Sequence, residues 1–191
     1  MGKLITRRGV LAGGASILAA PAIAQGIAPE DTEQQEFVRR NLSGFKKLKW
    51  QDHFETLGKG AIVADTNSRA LHFWSGDGES YRLYPTSVPR SPELTKLGYA
   101  RITKKVEDPK WVPTPSMRER DPSLPAVVPP GQDNPMGTHA MHLSWQYYRI
   151  HGTHDTRKIG RRSSDGCIGL YNEMVAELFE MVEVGTQVRL I

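Results

Sequence analysis

Apolar residues recur at every second position over short stretches of this chain, a period typical of β-strands that bury one face. Ala61 and Val63 follow this pattern before the turn-forming residues 65–68, and Leu71 and Phe73 follow it after them. The pattern therefore predicts a β-hairpin that packs against a core.

The strand pattern continues further along, and one late stretch changes to a helical spacing. Further strands are predicted at residues 81–83, 99–106, 140–144, 147–150 and 187–191. Asn172 can cap a helix whose apolar residues lie at helical spacing, namely Met174, Val175, Leu178, Met181 and Val182. The element order predicts a mostly β fold with a late helix (α+β), built as a β-sandwich or barrel.

Most prolines lie between Pro85 and Pro135. Proline fixes its φ angle and lacks an amide hydrogen, so this stretch is expected to contain no helix. A long irregular loop in a compact domain is often functional, and residues 107–135 either fold over a site as a lid or serve as a connector.

Residues 1–24 have the layout of an export signal. Lys3, Arg7 and Arg8 precede an apolar run at residues 9–20, and an Ala-Ile-Ala sequence follows. The arginine pair suits the twin-arginine route, although a Sec signal can also carry two arginines. The run is shorter than the ~20 residues that cross a bilayer. We therefore expect a cleaved signal, no transmembrane anchor in the mature form, and a location in the bacterial periplasm.

After the signal, residues 25–56 are expected to form an N-terminal leader and residues 57–191 one domain. The whole chain carries 25 Lys and Arg against 21 Asp and Glu, a formal charge of +4. Removing residues 1–24 subtracts three positive charges, so 22 minus 21 leaves +1. This balance gives no electrostatic reason for binding nucleic acid, and no such partner is expected.

The chain has one cysteine, Cys167, so it is either an inert buried thiol or a reactive one. Four of the six histidines lie in the segment just before it, at His139, His142, His151 and His154. Two His-x-x-His pairs plus a cysteine suit zinc, but residues three apart on a strand point to opposite faces. We expect no metal and no cofactor, with a zinc hydrolase as the alternative.

The surroundings of Cys167 favour a nucleophile. The turn-rich residues 163–166 precede it, which places the sulfur near the backbone amides of Gly166 and Cys167, and such amides can stabilise an oxyanion. His151 ends a predicted strand, is followed by Gly152, and can accept the proton of the thiol. Cysteine needs such a base because an ordinary thiol pKa of about 8.5 keeps it protonated at neutral pH.

The order and spacing of these motifs resemble the L,D-transpeptidase (YkuD-type) catalytic domain family. The matching pieces are His-Gly-Thr at 151–153, Ile-Gly at 159–160, Ser-Asp-Gly-Cys-Ile at 164–168 and Leu-Tyr-Asn at 170–172. Upstream pieces at 61–65, 113–117, 129–131 and 134–137 also fit. The resemblance covers about residues 57–191.

This resemblance implies a mostly β fold and a role in peptidoglycan biosynthesis, cell wall organisation and cell shape. It makes Cys167 the nucleophile and His151 its base, with the Gly152 carbonyl orienting the imidazole. The thiolate would attack a peptidoglycan stem peptide, expel D-Ala and form a thioester. The acceptor would be an amine of a second stem, giving a 3-3 cross-link, or an amine of an outer-membrane protein.

Two positions depart from the family's usual pattern. Asp165 stands where the family usually has His, and Gly169 where it often has Arg or Asn. A carboxylate beside the sulfur would oppose the thiolate, because unit charges 4 Å apart repel by about 4 kcal/mol at an effective dielectric of 20. We expect Asp165 either to cap local amides or to pair with a nearby cation and fix the loop. The candidate cations are Arg161, Arg162, Lys158 and His154.

Charged and aromatic residues near this segment are candidates for binding substrate. The main candidates are Arg161, Arg162, His154, Asp165 and Tyr147, with Lys158, Trp111 and Trp145 as further candidates. Cations can attract the carboxylates of diaminopimelate and D-Ala, although charge runs also occur on solvated loops. Aromatic side chains can line a peptide groove, although strand aromatics often belong to a core.

Two other functions fit the same features. With water as acceptor the protein would be an L,D-carboxypeptidase. The departures at Asp165 and Gly169 also allow a catalytically inactive wall-binding module.

Overall fold

The computed structural model describes residues 46–191, so the predicted signal and most of the leader lie outside the described residues. The strands are β1 (Ala61–Asp65), β2 (Ala70–Trp74), β3 (Tyr81–Pro85), β4 (Val88–Pro89), β5 (Gly98–Glu107), β6 (His139–Leu143), β7 (Arg149–His151), β8 (Arg162–Ser164), β9 (Ile168–Gly169) and β10 (Gln187–Leu190). The α-helices are α1 (Pro115–Arg120) and α2 (Asn172–Met181), and short 3-10 helices lie at Trp50–Asp52, Pro92–Leu94 and Thr156–Lys158. None of these helices is long and apolar enough to cross a bilayer.

Eight strands form one sheet in the order β3-β2-β1-β10-β5-β6-β7-β9, and β4 pairs with β8 in a small second sheet. The pairs β1–β10, β7–β9 and β4–β8 are parallel, and the other neighbours are antiparallel. The last strand lies in the middle of the sheet. The predicted mostly β fold with a late helix is confirmed.

The predicted hairpin is present as β1 and β2, with Asp65 opposite Ala70. The Asp65 carboxylate accepts hydrogen bonds from the amides of Asn67 and Ser68 at 2.8 and 3.3 Å, which closes the turn. Arg69 completes it with a φ of +60°. The turn at residues 65–68, which the sequence predicts, therefore sets the register of the first two strands.

The sheet buries both faces near β1. One face joins the main core with helix α2, which packs on β6 and buries Val175 and Leu178. The opposite face holds a second cluster, which comprises Phe54, Leu57, Ala61, Val63 and Trp74. Residues just before β1 therefore pack on the sheet as part of the folded body.

Two sequence-based expectations about helices were wrong. Helix α1 forms inside the proline-rich stretch, because Pro115 occupies its first turn, where no amide hydrogen is needed. The Thr114 hydroxyl caps this helix by accepting from the Met117 amide at 3.3 Å. Asn172 does not cap α2, because Tyr171 takes that position and the Asn172 Oδ1 accepts from the amides of Thr138 and Thr153 instead.

The strand expected at 147–150 is shorter than predicted. Residues 145–148 form a turn, in which the Tyr148 amide donates to the Trp145 carbonyl at 3.2 Å. Tyr147 adopts a φ of +67°, a value that a strand does not allow. Only Arg149–His151 remains as β7.

The second cluster gives a stability prediction. Phe54 is 8% exposed, whereas Leu97 is 57% exposed. We expect Phe54→Ala to lower the free energy of unfolding by about 3 kcal/mol through lost burial and a cavity, and Leu97→Ala to change it by less than about 0.5 kcal/mol. Urea titration followed by tryptophan fluorescence measures both. Equal effects would show that residues before β1 lie outside the cooperative unit.

Candidate active site

The parallel pairing of β7 with β9 brings the histidine and cysteine segments together. Ile150 lies opposite Ile168, and His151 lies opposite Gly169. The Leu170 amide extends the ladder by donating to the His151 carbonyl at 2.9 Å. Cys167 immediately precedes β9, so its sulfur and the His151 imidazole line one pocket.

The His151 ring is held by the next residue in the chain. Its Nδ1 lies 2.5 Å from the Gly152 carbonyl oxygen. Because a carbonyl only accepts hydrogen bonds, Nδ1 carries the proton and Nε2 of the neutral ring is left as an acceptor. Burial lowers the pKa of His151 to about 4. The hydrogen bond to Gly152 raises this pKa, whereas the charges of Arg149 and Lys158 lower it further. The imidazole is therefore neutral at pH 7.

Gly152 lies where the chain has no room for a side chain. A Cβ at this position would meet the Asn172 Oδ1, and it would lie 3.1 Å from Val175 Cγ1. The same Asn172 oxygen accepts from the amides of Thr138 and Thr153 at 3.3 and 3.2 Å. Helix α2 thus fixes the segment whose carbonyl holds the imidazole.

Cys167 is half-buried and its thiol donates to the Tyr147 carbonyl at 3.4 Å. Burial raises the pKa of the Cys167 thiol, and the charge of Asp165 raises it too, whereas the charge of Arg149 lowers it. No hydrogen bond joins the sulfur to His151 in the part of the chain that the structure describes. The resting pair is therefore a neutral thiol and a neutral imidazole.

The backbone just before the sulfur has the geometry that only glycine adopts readily. Gly166 has a φ of +127°. Its amide donates to Ser164 Oγ over a long 3.4 Å, and that hydroxyl donates to the Cys167 carbonyl at 2.6 Å. The Ser164 hydroxyl therefore closes the loop, and the Gly166 amide forms only a weak hydrogen bond.

The proline-rich stretch forms one wall of the pocket. Its lining residues are Trp111, Val112, Thr114, Met117, Pro135 and Met136. The buried Asn134 ties the stretch together, since its amide nitrogen donates to the Pro109 and Pro129 carbonyls at 2.8 and 2.9 Å. These contacts hold the wall in place beside the sulfur.

The structure separates the predicted binding residues into two groups. Tyr147, Asp165, Lys158 and Trp111 line the pocket. Arg161, Arg162 and His154 are exposed and do not line it. Trp145 packs edge-on against Tyr148, with ring centroids 5.6 Å apart, and does not line it either.

The expected partners of Asp165 were wrong, although the expected ion pair exists. Arg90 and Arg120 each place Nη2 on its Oδ1, at 2.6 and 2.9 Å. Arg90 follows β4, which pairs with β8 ahead of Asp165, and Arg120 ends helix α1. The carboxylate therefore ties two distant segments to the loop that precedes Cys167.

Gly169, the second departure, lies against Ser87. The two residues exchange backbone hydrogen bonds of 2.9 and 3.2 Å, and a Cβ on Gly169 would meet the Ser87 hydroxyl. Ser87 also lines the pocket. The Ser87 side chain thus fills the space where a larger residue at 169 would begin.

Sequence reasoning missed Arg149, which lines the pocket on β7. Residues two apart on a strand share a face. The spacing from Arg149 to His151 therefore predicts that both side chains lie on the side of the pocket. Arg90 and Arg120 gave no such signal, because they reach Asp165 from 75 and 45 positions earlier in the chain.

Within residues 46–191 no group of three or more His, Cys, Asp and Glu side chains is arranged to hold a metal ion. His139 instead packs on Phe179, with ring centroids 4.7 Å apart, and its Nδ1 bonds the Thr138 hydroxyl at 2.8 Å. This histidine has a local structural role.

Comparisons with known proteins agree on one family. The family model of the L,D-transpeptidase catalytic domain (YkuD) matches residues 59–190. A putative L,D-transpeptidase from Fuscovulum blasticum, in the ATP synthase subunits region (ORF 5), is 57% identical over 183 residues, 96% of this chain and 93% of that protein. The probable L,D-transpeptidase ErfK/SrfK of Escherichia coli (strain K12) is 37% identical over 142 residues, 72% of this chain and 45% of that protein.

A solved L,D-transpeptidase from Mycobacterium smegmatis shares the fold with a TM-score of 0.52 and 25% identity, covering 70% of this chain and 58% of that one. This chain spans less than half of the E. coli relative, but nearly all of the Fuscovulum one.

Fold and site together define a β-rich domain in which a cysteine and a histidine face one pocket. The chain belongs to the L,D-transpeptidase catalytic domain family.

The position of Asp165 gives a prediction about thiol reactivity. Its charge raises the pKa of the Cys167 thiol, so Asp165→Asn should lower that pKa and speed alkylation at pH 7 by on the order of threefold. The pH dependence of iodoacetamide alkylation measures this, with the midpoint moving to lower pH.

The matched control for this variant is Glu119→Gln, an exposed acid on the same helix as Arg120. It should leave the profile unchanged. A midpoint that stays fixed in Asp165→Asn would show that the two arginines already cancel the carboxylate at the sulfur.

Proposed function

We propose that this protein is a peptidoglycan L,D-transpeptidase that uses Cys167 as nucleophile and His151 as base. One observation carries the proposal: the sulfur and the imidazole line the same pocket, with the ring fixed by the Gly152 carbonyl. That arrangement supplies the nucleophile, base and orienting group that covalent acyl transfer needs.

The first half-reaction forms a thioester. The His151 Nε2 takes the thiol proton as the sulfur attacks the carbonyl of the third stem residue. The tetrahedral oxyanion collapses, the bond to D-Ala breaks, and the leaving amine takes the proton from the imidazolium. In this mechanism the amides of Gly166 and Cys167 would stabilise the oxyanion.

The second half-reaction releases the enzyme. An amine of a second stem, or of an outer-membrane protein, attacks the thioester and gives its proton to His151, which returns it to the sulfur. The energy of the original peptide bond is kept in the thioester, so no nucleotide is needed. This suits an exported protein in the periplasm, where the N-terminal signal would direct it.

The Cys167 thiol and the His151 imidazole are both neutral at rest, and this determines when the proton moves. Because the pKa of His151 is about 4 and burial raises the thiol pKa, a standing thiolate–imidazolium pair is disfavoured. Proton transfer therefore accompanies attack on a bound substrate. Activity should fall as pH drops through the low pKa of His151, where the base becomes protonated.

The products on a purified tetrapeptide muropeptide test this function. Wild-type protein should release D-Ala and form a 3-3 dimer, detected by mass spectrometry, whereas a tripeptide monomer would indicate the carboxypeptidase. Cys167→Ala should give neither product. His151→Gln should be slower by about 100-fold or more, the usual contribution of a general base.

His142→Gln is the matched histidine control for these assays. His142 lies on β6 outside the pocket, and the variant should keep the parent rate. Dimer formation by Cys167→Ala at the parent rate would overturn the proposed function.

Acylation by a carbapenem separates an enzyme from an inactive wall-binding module. A strained β-lactam carbonyl acylates an activated thiol, so intact-mass analysis should show one adduct on the wild type and none on Cys167→Ala. A wild-type protein without an adduct, in spite of a folded spectrum, would favour the binding module.

A further inference from the structure

The pocket beside Cys167 contains a cation that has no ion-pair partner among residues 46–191. Arg149 lines this pocket, and no carboxylate of those residues lies within ion-pair distance of its guanidinium. Its Nε is buried and has no hydrogen-bond partner. A buried donor without a partner is unfavourable, so such a group in a pocket indicates a missing acceptor.

Among residues 46–191 one acid lines this pocket, and it forms no ion pair with Arg149. Asp165 is already occupied by Arg90 and Arg120 at 2.6 and 2.9 Å. Lys158 lines the same pocket and forms no ion pair within the described chain. Two uncompensated cations, Arg149 and Lys158, therefore face the space that a substrate would enter.

Arg149 also lies close to the reacting atoms. It shares a strand face with His151, two positions along β7. Its charge acts on both partners, since it lowers the pKa of the His151 imidazole and of the Cys167 thiol. An acceptor bound to its guanidinium would therefore lie in the pocket that Cys167 and His151 line.

We propose that Arg149 is a specificity-determining residue that binds a carboxylate of the donor stem peptide beside Cys167. The planar guanidinium matches a carboxylate with two parallel hydrogen bonds, which fixes orientation as well as charge. Two carboxylates have this chemistry, the C-terminus of the leaving D-Ala and the side-chain carboxylate of diaminopimelate. This inference rests on the proposed function of the same site.

A pair of alkylating reagents tests the anion site without a substrate. Iodoacetate and iodoacetamide react with the same thiolate, so the ratio of their rates cancels the thiol pKa and reports the attraction of an anion. We expect this ratio to fall about fivefold in Arg149→Gln and to be largely kept in Arg149→Lys. Arg101→Gln, an exposed arginine of β5 outside the pocket, is the control with an unchanged ratio.

The outcomes separate this inference from the proposed function. If both reagents modify Cys167 but the ratio is the same in Arg149→Gln as in wild type, the carboxylate site is wrong while the nucleophile stands. If neither reagent modifies Cys167 in the folded protein, both proposals fail. Thermal melts of each variant show that the ratio was measured on folded protein.

Amidated donors identify which carboxylate binds. Arg149→Gln should lower kcat/KM about tenfold or more on the free-acid tetrapeptide. The loss should disappear on the donor whose relevant carboxylate is already an amide, either a D-alaninamide terminus or an amidated diaminopimelate. An equal loss on all three donors would overturn the proposal, because it would mean that Arg149 only supports the fold or the thiol.

Discussion

The site depends on the parallel pairing of two very short strands. β7 and β9 share only the pairs Ile150–Ile168 and His151–Gly169, and both isoleucines are fully buried in the main core. Burial of these side chains sets the register, since a shift by one residue would turn them out of the core. The same register places His151 and Cys167 at one pocket, so hydrophobic packing determines how these two residues are positioned.

The second constraint is electrostatic and acts on the sulfur. Burial favours the neutral thiol, the carboxylate of Asp165 favours it further, and the Arg149 charge favours the thiolate. With the thiol donating to the Tyr147 carbonyl, the balance in the free protein lies with the protonated form. A standing thiolate is therefore disfavoured in the free protein.

Sequence reasoning succeeded where the determinants are local. The turn after Asp65, the alternation of β1 and β2 and the spacing of helix α2 each lie within a few residues, and the structure has all three. It failed for helix α1. Proline disrupts the interior of a helix, but Pro115 lies in the first turn, where proline is accepted. The Asn172 oxygen was misassigned because distant amides compete with a local cap.

For the site, sequence motifs located the pocket through Cys167 and His151 but not the residues that set its charge. Arg149 was within reach of a simple strand-spacing argument, whereas Arg90 and Arg120 approach Asp165 from other parts of the fold. Such pairs depend on β4–β8 pairing and on the path of the proline-rich wall. No local pattern encodes either of them.

Asp165 connects the two constraints. Two residues before the sulfur, its negative charge opposes the thiolate, yet the same carboxylate holds Arg120 of helix α1 and Arg90 after β4. The pocket wall and the loop that precedes Cys167 are therefore tied through a single side chain. Because the two guanidinium groups offset the carboxylate, the loop is fixed at a smaller electrostatic cost to the thiolate than an unpaired acid would impose. A position that departs from the family's usual pattern can in this way support the same site by a different set of contacts.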